Sequence, residues 1–227
     1  MARIISVEGN IGAGKSTLLK ALADVPGVRV IAEPIEEWCR PALPGGSSML
    51  EAYYADQPRN AMAFQMFAML TRAQQLRGVV ASGAGSGALV FTERNSWSDY
   101  ELFGRPMHAS GLLNDADWCA YTAWFEAITA DGGGLLGLPK PSGIVYLRST
   151  PGTCARRVAG RARAGEGSID GPYLEMLDSA HARYIERQRG LGTEVFVLDA
   201  DAHANDAGEL AETSRRIVEW AAGLAAV

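Results

Sequence analysis

The chain has 227 residues, 48% of them apolar and 21% charged, with a net charge of −5. A chain of this length buries a sizeable core without staples, and the widely spaced Cys39, Cys119 and Cys154 indicate neither a disulfide framework nor a zinc cluster. The acidic balance argues against nucleic acid as a partner, and no apolar run is long enough to span a bilayer.

Residues 3–8 read as a short buried strand, entered so early that no signal or transit peptide is expected, which implies a cytoplasmic location. Gly9-Asn-Ile-Gly-Ala-Gly-Lys-Ser-Thr17 follows, then a helix to about residue 23. A second strand over 28–33 is ended by Pro34. The pattern over 47–81 is helical in two pieces, with Pro58 in the first turn of the second. A third strand is expected over 88–92, then helices over 95–106 and 114–130. The second of these helices carries Trp118, Tyr121, Trp124 and Phe125 at core-like spacing. A fourth strand spans 143–148 and a fifth 194–198, with helices over 151–160, 171–190 and 206–224. The glycine-rich stretches 83–87 and 131–134 read as flexible connections. Strands alternating with helices give an α/β fold with a five-stranded parallel sheet flanked by helices, as one domain over 1–227. Functional groups then gather at the carboxyl ends of the strands, where Glu8, Gly9, Glu33, Glu93 and Arg148 fall.

Gly9-x-x-x-x-Gly14-Lys15-Ser16 matches the P-loop in its required strand–loop–helix setting. Glycines let the amides of Gly9, Asn10, Ile11, Gly12, Ala13 and Gly14 turn toward phosphates, and the helix N-terminus adds partial positive charge. Lys15 reaches the β- and γ-phosphates, and the hydroxyl of Ser16, followed by Thr17, is placed to ligate Mg²⁺. The base-reading N-K-x-D motif of GTPases is absent. The D-x-x-G at 131–134 follows a helix, and the third strand ends at Glu93 where an aspartate would mark a Walker B strand. These features point to small-molecule kinases.

The segment Ile5-Ser-Val-Glu-Gly-Asn-Ile-Gly-Ala-Gly-Lys-Ser-Thr17 resembles the opening of the deoxynucleoside kinase family. The resemblance continues through Glu33-Pro34-x-x-x-Trp38, Phe64-Gln65, Glu93-Arg94 with Ser98-Asp99, and Thr150-Pro151-x-Thr153-Cys154 leading into Arg157-x-x-x-Arg161-x-Arg163. It implies a P-loop kinase fold with ATP or another nucleoside triphosphate as donor, Mg²⁺ and a small-molecule deoxynucleoside as acceptor. It also implies a homodimer, for which the aromatic-rich 114–130 helix is a candidate surface. Glu33 becomes the catalytic base for the 5′-hydroxyl. Glu93 is linked to Mg²⁺, and Arg94 contacts the region of the 5′-oxygen and the transferring phosphoryl group. Asn95 departs from the serine most members carry. Arg157, Arg161 and Arg163 become a mobile lid, about 157–168, whose planar guanidinium groups suit dispersed phosphoryl charge. The donor-base loop near 199–203 is too generic to separate ATP from UTP.

Within the resemblance, Gln65 reads the nucleobase edge and Trp38 lies beside the base. Tyr54 and Glu166 match the pair that holds the 3′-hydroxyl, with Tyr53 open as an alternative by spacing. Arg72 and Asp99, with the small Ala68, match deoxycytidine and deoxyguanosine kinases, whereas thymidine-accepting members place apolar residues at the Arg–Asp positions. An Arg–Asp pair occupies the space a thymine methyl needs and offers charge-assisted hydrogen bonds. Deoxycytidine and purine deoxynucleosides are therefore expected over thymidine, with a purely structural ion pair as the competing reading. Two other functions fit the same motifs less well. A nucleoside monophosphate kinase needs cations near Glu33, where Glu36 and Glu37 stand, and a non-catalytic nucleotide-binding relative would not need Lys15, Glu33 and Glu93 together. Of the 21 basic residues only Lys15, Lys20 and Lys140 are lysines. Lys15 stands where a compact ammonium fits and a guanidinium would not.

Overall fold

Arg3–Gly9 forms β1, buried from Ile4 onward, and its alternate side chains serve two separate cores. The structure is a computed structural model, and it describes residues 2–82, 88–130, 135–136, 138–161, 169–202 and 207–225. The glycine-rich stretches 83–87 and 131–134, and the lid beyond Arg161 with Arg163 and Glu166, lie outside the described residues.

After β1 the chain forms α1 (Lys15–Ala23), β2 (Val28–Ile31), α2 (Ile35–Trp38), α3 (Met49–Ala55) and α4 (Gln57–Ala81). Next come β3 (Leu89–Glu93), α5 (Ser96–Asp99), a π-helical turn over Tyr100–Gly104, α6 (Arg105–Ala109) and α7 (Asp115–Thr129). The described chain closes with β4 (Gly143–Arg148), α8 (Pro151–Arg161), α9 (Gly171–Gly190), β5 (Glu194–Asp199) and α10 (Ala207–Ala222). All strand pairs are parallel, in the order β2-β3-β1-β4-β5. The expected five-stranded parallel sheet and its flanking helices are the observed ones, a P-loop kinase fold.

Period-2 alternation in β1 sends Ile5 and Val7 to one face, against Leu18, Leu19 and Leu22 of α1 and Ile217 and Ala221 of α10. Ile4 points to the other face, against Met69, Ala73 and Leu76 of α4 and Tyr121 and Ile128 of α7. On that second face β4 places Ile144 and Tyr146 against Ala180, Tyr184 and Ile185 of α9. Helix starts are set by side-chain caps. Ser48 and Glu51 form a reciprocal capping box on α3, and Asp56 caps α4 with Pro58 in its first turn. Asn114 accepts from two amides of α7, and Asp170 caps α9. Each such cap is worth about 1 kcal/mol.

Three expectations need correction. The second strand ends at Ile31, not 33, because the ladder with β3 runs only from Val28 to Ile31. The chain then leaves the sheet, which puts Glu33 on a connection leading into the short helix α2. The helix expected over 95–106 is interrupted by the π turn. There a Cβ on Gly104 would collide with the Tyr121 ring, so only glycine lets α7 approach. Trp124, placed by spacing with the core, is 49% exposed, whereas Tyr121 is fully buried.

Candidate active site

The carboxyl ends of β1 and β3, with the connection after β2, open into a cavity of about 1500 Å³. Its phosphate end is the loop between β1 and α1. Gly12 has φ 83°, and a Cβ there would lie 2.6 Å from the Cys154 carbonyl oxygen. Gly9 is equally confined, since a Cβ would lie 2.8 Å from the Leu147 carbonyl oxygen. Gly14 enters α1 in the left-handed region at φ 100°. Asn10 is fixed at both ends, donating to the Leu174 carbonyl at 2.8 Å and accepting the Ile11 amide at 2.8 Å. Residues 11–17, Ala13 and Thr17 included, line the cavity.

Lys15 is buried, and its Nζ donates to the Gly9 and Asn10 carbonyls at 3.1 Å each. Burial, with Arg94 nearby, draws the ammonium down to about 8, although Glu93, Glu33 and Glu8 oppose the shift. Glu93 stands 3.8 Å from Lys15 Nζ and accepts the Ser16 hydroxyl at 3.1 Å. Among the described residues no cluster of three or more His, Cys, Asp or Glu side chains could hold a metal alone. Ser16 and Glu93 instead offer one hydroxyl and one carboxylate, a hard-oxygen set that fits Mg²⁺ completed by phosphate and water.

Arg94 is the one non-glycine residue with positive φ, 64°, among the described residues, and it is 2% exposed. Its guanidinium donates to the Gly9 carbonyl at 3.0 Å, lies 3.4 Å from Glu8 Oε2 and 3.3 Å from His181 Nε2, and packs over Phe103 at 4.9 Å. The π turn is what delivers Phe103. His181 donates from Nδ1 to the Leu177 carbonyl at 2.7 Å, leaving Nε2 as acceptor for Arg94. Burial, and then Arg94, keeps its pKa well below the ordinary value, so the ring is neutral. Burial likewise raises Glu8, against the pull of Arg94. Asn95, the family departure, both caps α5 and donates to Ser6 Oγ at 2.7 Å and Glu8 Oε1 at 3.3 Å.

The other end of the cavity, where the nucleoside is expected from the sequence, is built from side chains of α2 to α5. Helix α4 presents Gln65, Ala68 and Arg72 along one face at helical spacing, and all three line the cavity. Trp38 donates to Thr71 Oγ1 at 2.9 Å and meets Phe64 edge-on at 5.5 Å. Phe64 stacks on Tyr53 at 4.7 Å. Tyr53 and Tyr54 both line the cavity, and the hydroxyls of Tyr53 and Tyr173 of α9 are hydrogen-bonded to each other. The alternative between the two tyrosines stays open, because Glu166 lies outside the described residues. Arg72 grips Asp99 Oδ1 at 2.5 Å and also Glu33 Oε1. Burial would raise Glu33, but Arg72, Arg94 and Lys15 outweigh it and hold the carboxyl below its usual range.

At the opposite rim, Arg157 ties the phosphate loop to the end of β5, donating to Ala13 O at 3.4 Å and Ala200 O at 2.8 Å. Arg161 lines the same cavity. The structure thus gathers Lys15, Ser16, Glu33, Glu93, Arg94, Trp38, Gln65 and Arg72 around one space, while Asp99 stands behind Arg72, 1% exposed. Phe103, Tyr173 and His181 were not singled out as site residues by the sequence, and Glu8 was placed only at the carboxyl end of its strand, with no role. For His181 a signal exists: a histidine inside the apolar stripe Leu174, Leu177, Ala180, Tyr184 of α9.

A family model for deoxynucleoside kinases matches residues 5–220. The chain is 31% identical to a probable deoxycytidine kinase of Fowlpox virus (strain NVSL), over 93% of this chain and 82% of the viral protein. It is 32% identical to the deoxycytidine kinase of Rattus norvegicus, over 80% of this chain and 74% of that one. With the mitochondrial thymidine kinase 2 of Homo sapiens it shares 29% identity, over 93% and 76%. No described helix is long and apolar enough to cross a membrane. The P-loop, the carboxylate beside it and the match over nearly the whole length agree: the chain belongs to the deoxynucleoside kinase family.

Proposed function

We propose that the protein transfers the γ-phosphate of ATP to the 5′-hydroxyl of a deoxynucleoside, with Glu33 as the catalytic base, and favours deoxycytidine and purine deoxynucleosides over thymidine. The observation that carries this reading is the shared cavity, in which a P-loop lysine and a carboxylate held below its usual range meet the face of α4 that carries Gln65, Ala68 and Arg72. Glu33 kept ionised is ready to accept the hydroxyl proton. Lys15 and Arg94 supply positive charge beside the negative charge of the transferring phosphoryl group, and Arg157 and Arg161 stand at the lid side with Arg163. Ser16 and Glu93 would hold Mg²⁺, which neutralises phosphate charge when bound. Gln65 offers a donor and an acceptor to the base edge, beside Trp38 and Ala68. Tyr54, with Glu166, is assigned to the 3′-hydroxyl.

The preference against thymidine rests on Arg72 and Asp99, whose charged pair leaves no apolar pocket for a methyl group at that end of the cavity. Incubation with ATP, Mg²⁺ and each of the four deoxynucleosides tests both parts. Deoxycytidine or a purine deoxynucleoside should give the highest kcat/KM. Absence of any monophosphate overturns the activity, and thymidine as the best substrate overturns the preference. A homodimer is supported by exposed apolar side chains on two touching helices, Leu70 and Val80 on α4 and Trp124 on α7. Trp124→Glu should lower the mass measured by light scattering to that of one chain.

A further inference from the structure

The phosphate and nucleoside halves of the cavity meet on one side chain. Arg72 gives NH1 to Asp99 and NH2 to Glu33, and its guanidinium lies 4.6 Å from the Trp38 ring centroid. Trp38 is 3% exposed and is itself pinned to Thr71, the residue before Arg72 on α4. A planar fork held at both tips and covered by an indole has little freedom to move. Glu33, by contrast, sits on the connection after β2, outside the ladder. Among the described residues Arg72 is the one hydrogen-bond donor to its carboxylate. Two further atoms mark the same unit: Arg72 Nε and Asp99 Oδ2 are buried without a hydrogen-bond partner. Buried polar atoms of this kind call for a ligand or water to complete them.

We propose that Asp99, Arg72 and Glu33 form a positioning relay, in which Asp99 holds Arg72 and Arg72 holds the catalytic carboxylate, so that the nucleobase-selecting pair also sets the rate of phosphoryl transfer. The relay rests on the reading of Glu33 as the base. Its consequence is that Arg72 matters for every deoxynucleoside, not only for those whose base it favours. The charged groups facing Glu33 are Arg72 from α4, Arg94 after β3 and Lys15 from α1, which favour the carboxylate. Asp99 from α5 faces Arg72, and Glu8 and Glu93 face Lys15. Removing Arg72 takes away the positive charge in direct contact with Glu33, so the proton affinity of Glu33 rises.

The test is the pH dependence of kcat/KM, with deoxycytidine and with thymidine, for wild type, Arg72→Met, Arg72→Lys, Glu33→Gln and the double variant Arg72→Met/Glu33→Gln. Arg72→Met should lower kcat about tenfold or more with both nucleosides and move the acid limb to higher pH. Because Arg72 acts through Glu33, the double variant should be no slower than Glu33→Gln by more than about twofold. An unmoved acid limb, with a change only in the ratio of the two nucleosides, overturns the relay, as does a multiplicative loss in the double variant. Full activity in Glu33→Gln overturns the base assignment itself and is told apart by that variant alone. If Arg72→Met does not fold, Arg72→Lys decides, since an ammonium keeps the charge but lacks the planar fork that reaches Asp99 and Glu33 from separate nitrogens. A kcat lowered for both nucleosides at unchanged ATP KM supports the relay, and an unchanged kcat overturns it.

Discussion

The two ends of the cavity are built on different principles. At the phosphate end the working parts are backbone: glycines at positive φ, carbonyls that hold Lys15, and an Asn10 side chain satisfied on both sides. At the nucleoside end they are side chains from four helices, and two of them leave buried polar atoms unpartnered. The first end is held in place by the chain's own backbone. The second presents Arg72, whose Nε is buried without a partner, and on the proposed reading a polar wall of this kind discriminates among bases, because a wrong base leaves such groups unpaired.

That contrast predicts uniform effects at one end and ligand-dependent effects at the other. The largest effect at the phosphate end is expected for Lys15→Ala. Turnover should fall about 10²–10³-fold for all deoxynucleosides alike, while deoxycytidine affinity measured by calorimetry stays within a few-fold. Gly12→Ala comes next, since its Cβ would press on the Cys154 carbonyl in a backbone region alanine avoids. Thermal unfolding should register a loss of about 1–3 kcal/mol, accompanied by weaker ATP binding. At the nucleoside end, Gln65→Ala should raise KM for deoxycytidine about tenfold and leave the ATP KM unchanged. Equal losses for all four bases would erase the distinction between the two ends.

The smallest effect is a proton count. Lys15 has its pKa drawn down to about 8 in the free protein, so near pH 8 part of the population carries a neutral amine. A polyphosphate favours the ammonium, which raises that pKa on binding. ATP binding at pH 8 should therefore take up protons, at most about half a proton per site, read by calorimetry in buffers of different ionisation enthalpy. Release in place of uptake would mean that Lys15 is not facing the phosphates.

The same contrast explains what could be read in advance. The phosphate end is a contiguous motif between a strand and a helix, so Gly9 to Thr17 and the parallel strands around them were legible from residue pattern alone, whereas the strand order β2-β3-β1-β4-β5 was not. The pairing of Arg72 with Asp99 was legible through resemblance, but its second grip on Glu33 was not. That grip depends on β2 ending two residues early, which no local pattern encodes. Likewise the π turn that carries Phe103 to Arg94 has no sequence period of its own, and it is enforced by the contact of Gly104 with Tyr121. His181 reaches Arg94 from a helix 87 residues away, so only the packing of α9 on β1 and β4 brings it into view. Trp124 shows the opposite failure, where core-like spacing on α7 marks a residue that faces outward.

The most direct test is a paired measurement on Glu33→Gln: the rate of deoxycytidine 5′-monophosphate formation at saturating ATP and deoxycytidine, and the deoxycytidine Kd of the same preparation. If Glu33 is the base of a deoxynucleoside kinase, turnover falls about 10²–10⁴-fold while Kd stays within a few-fold. Turnover at the wild-type rate with an unchanged Kd would contradict the account.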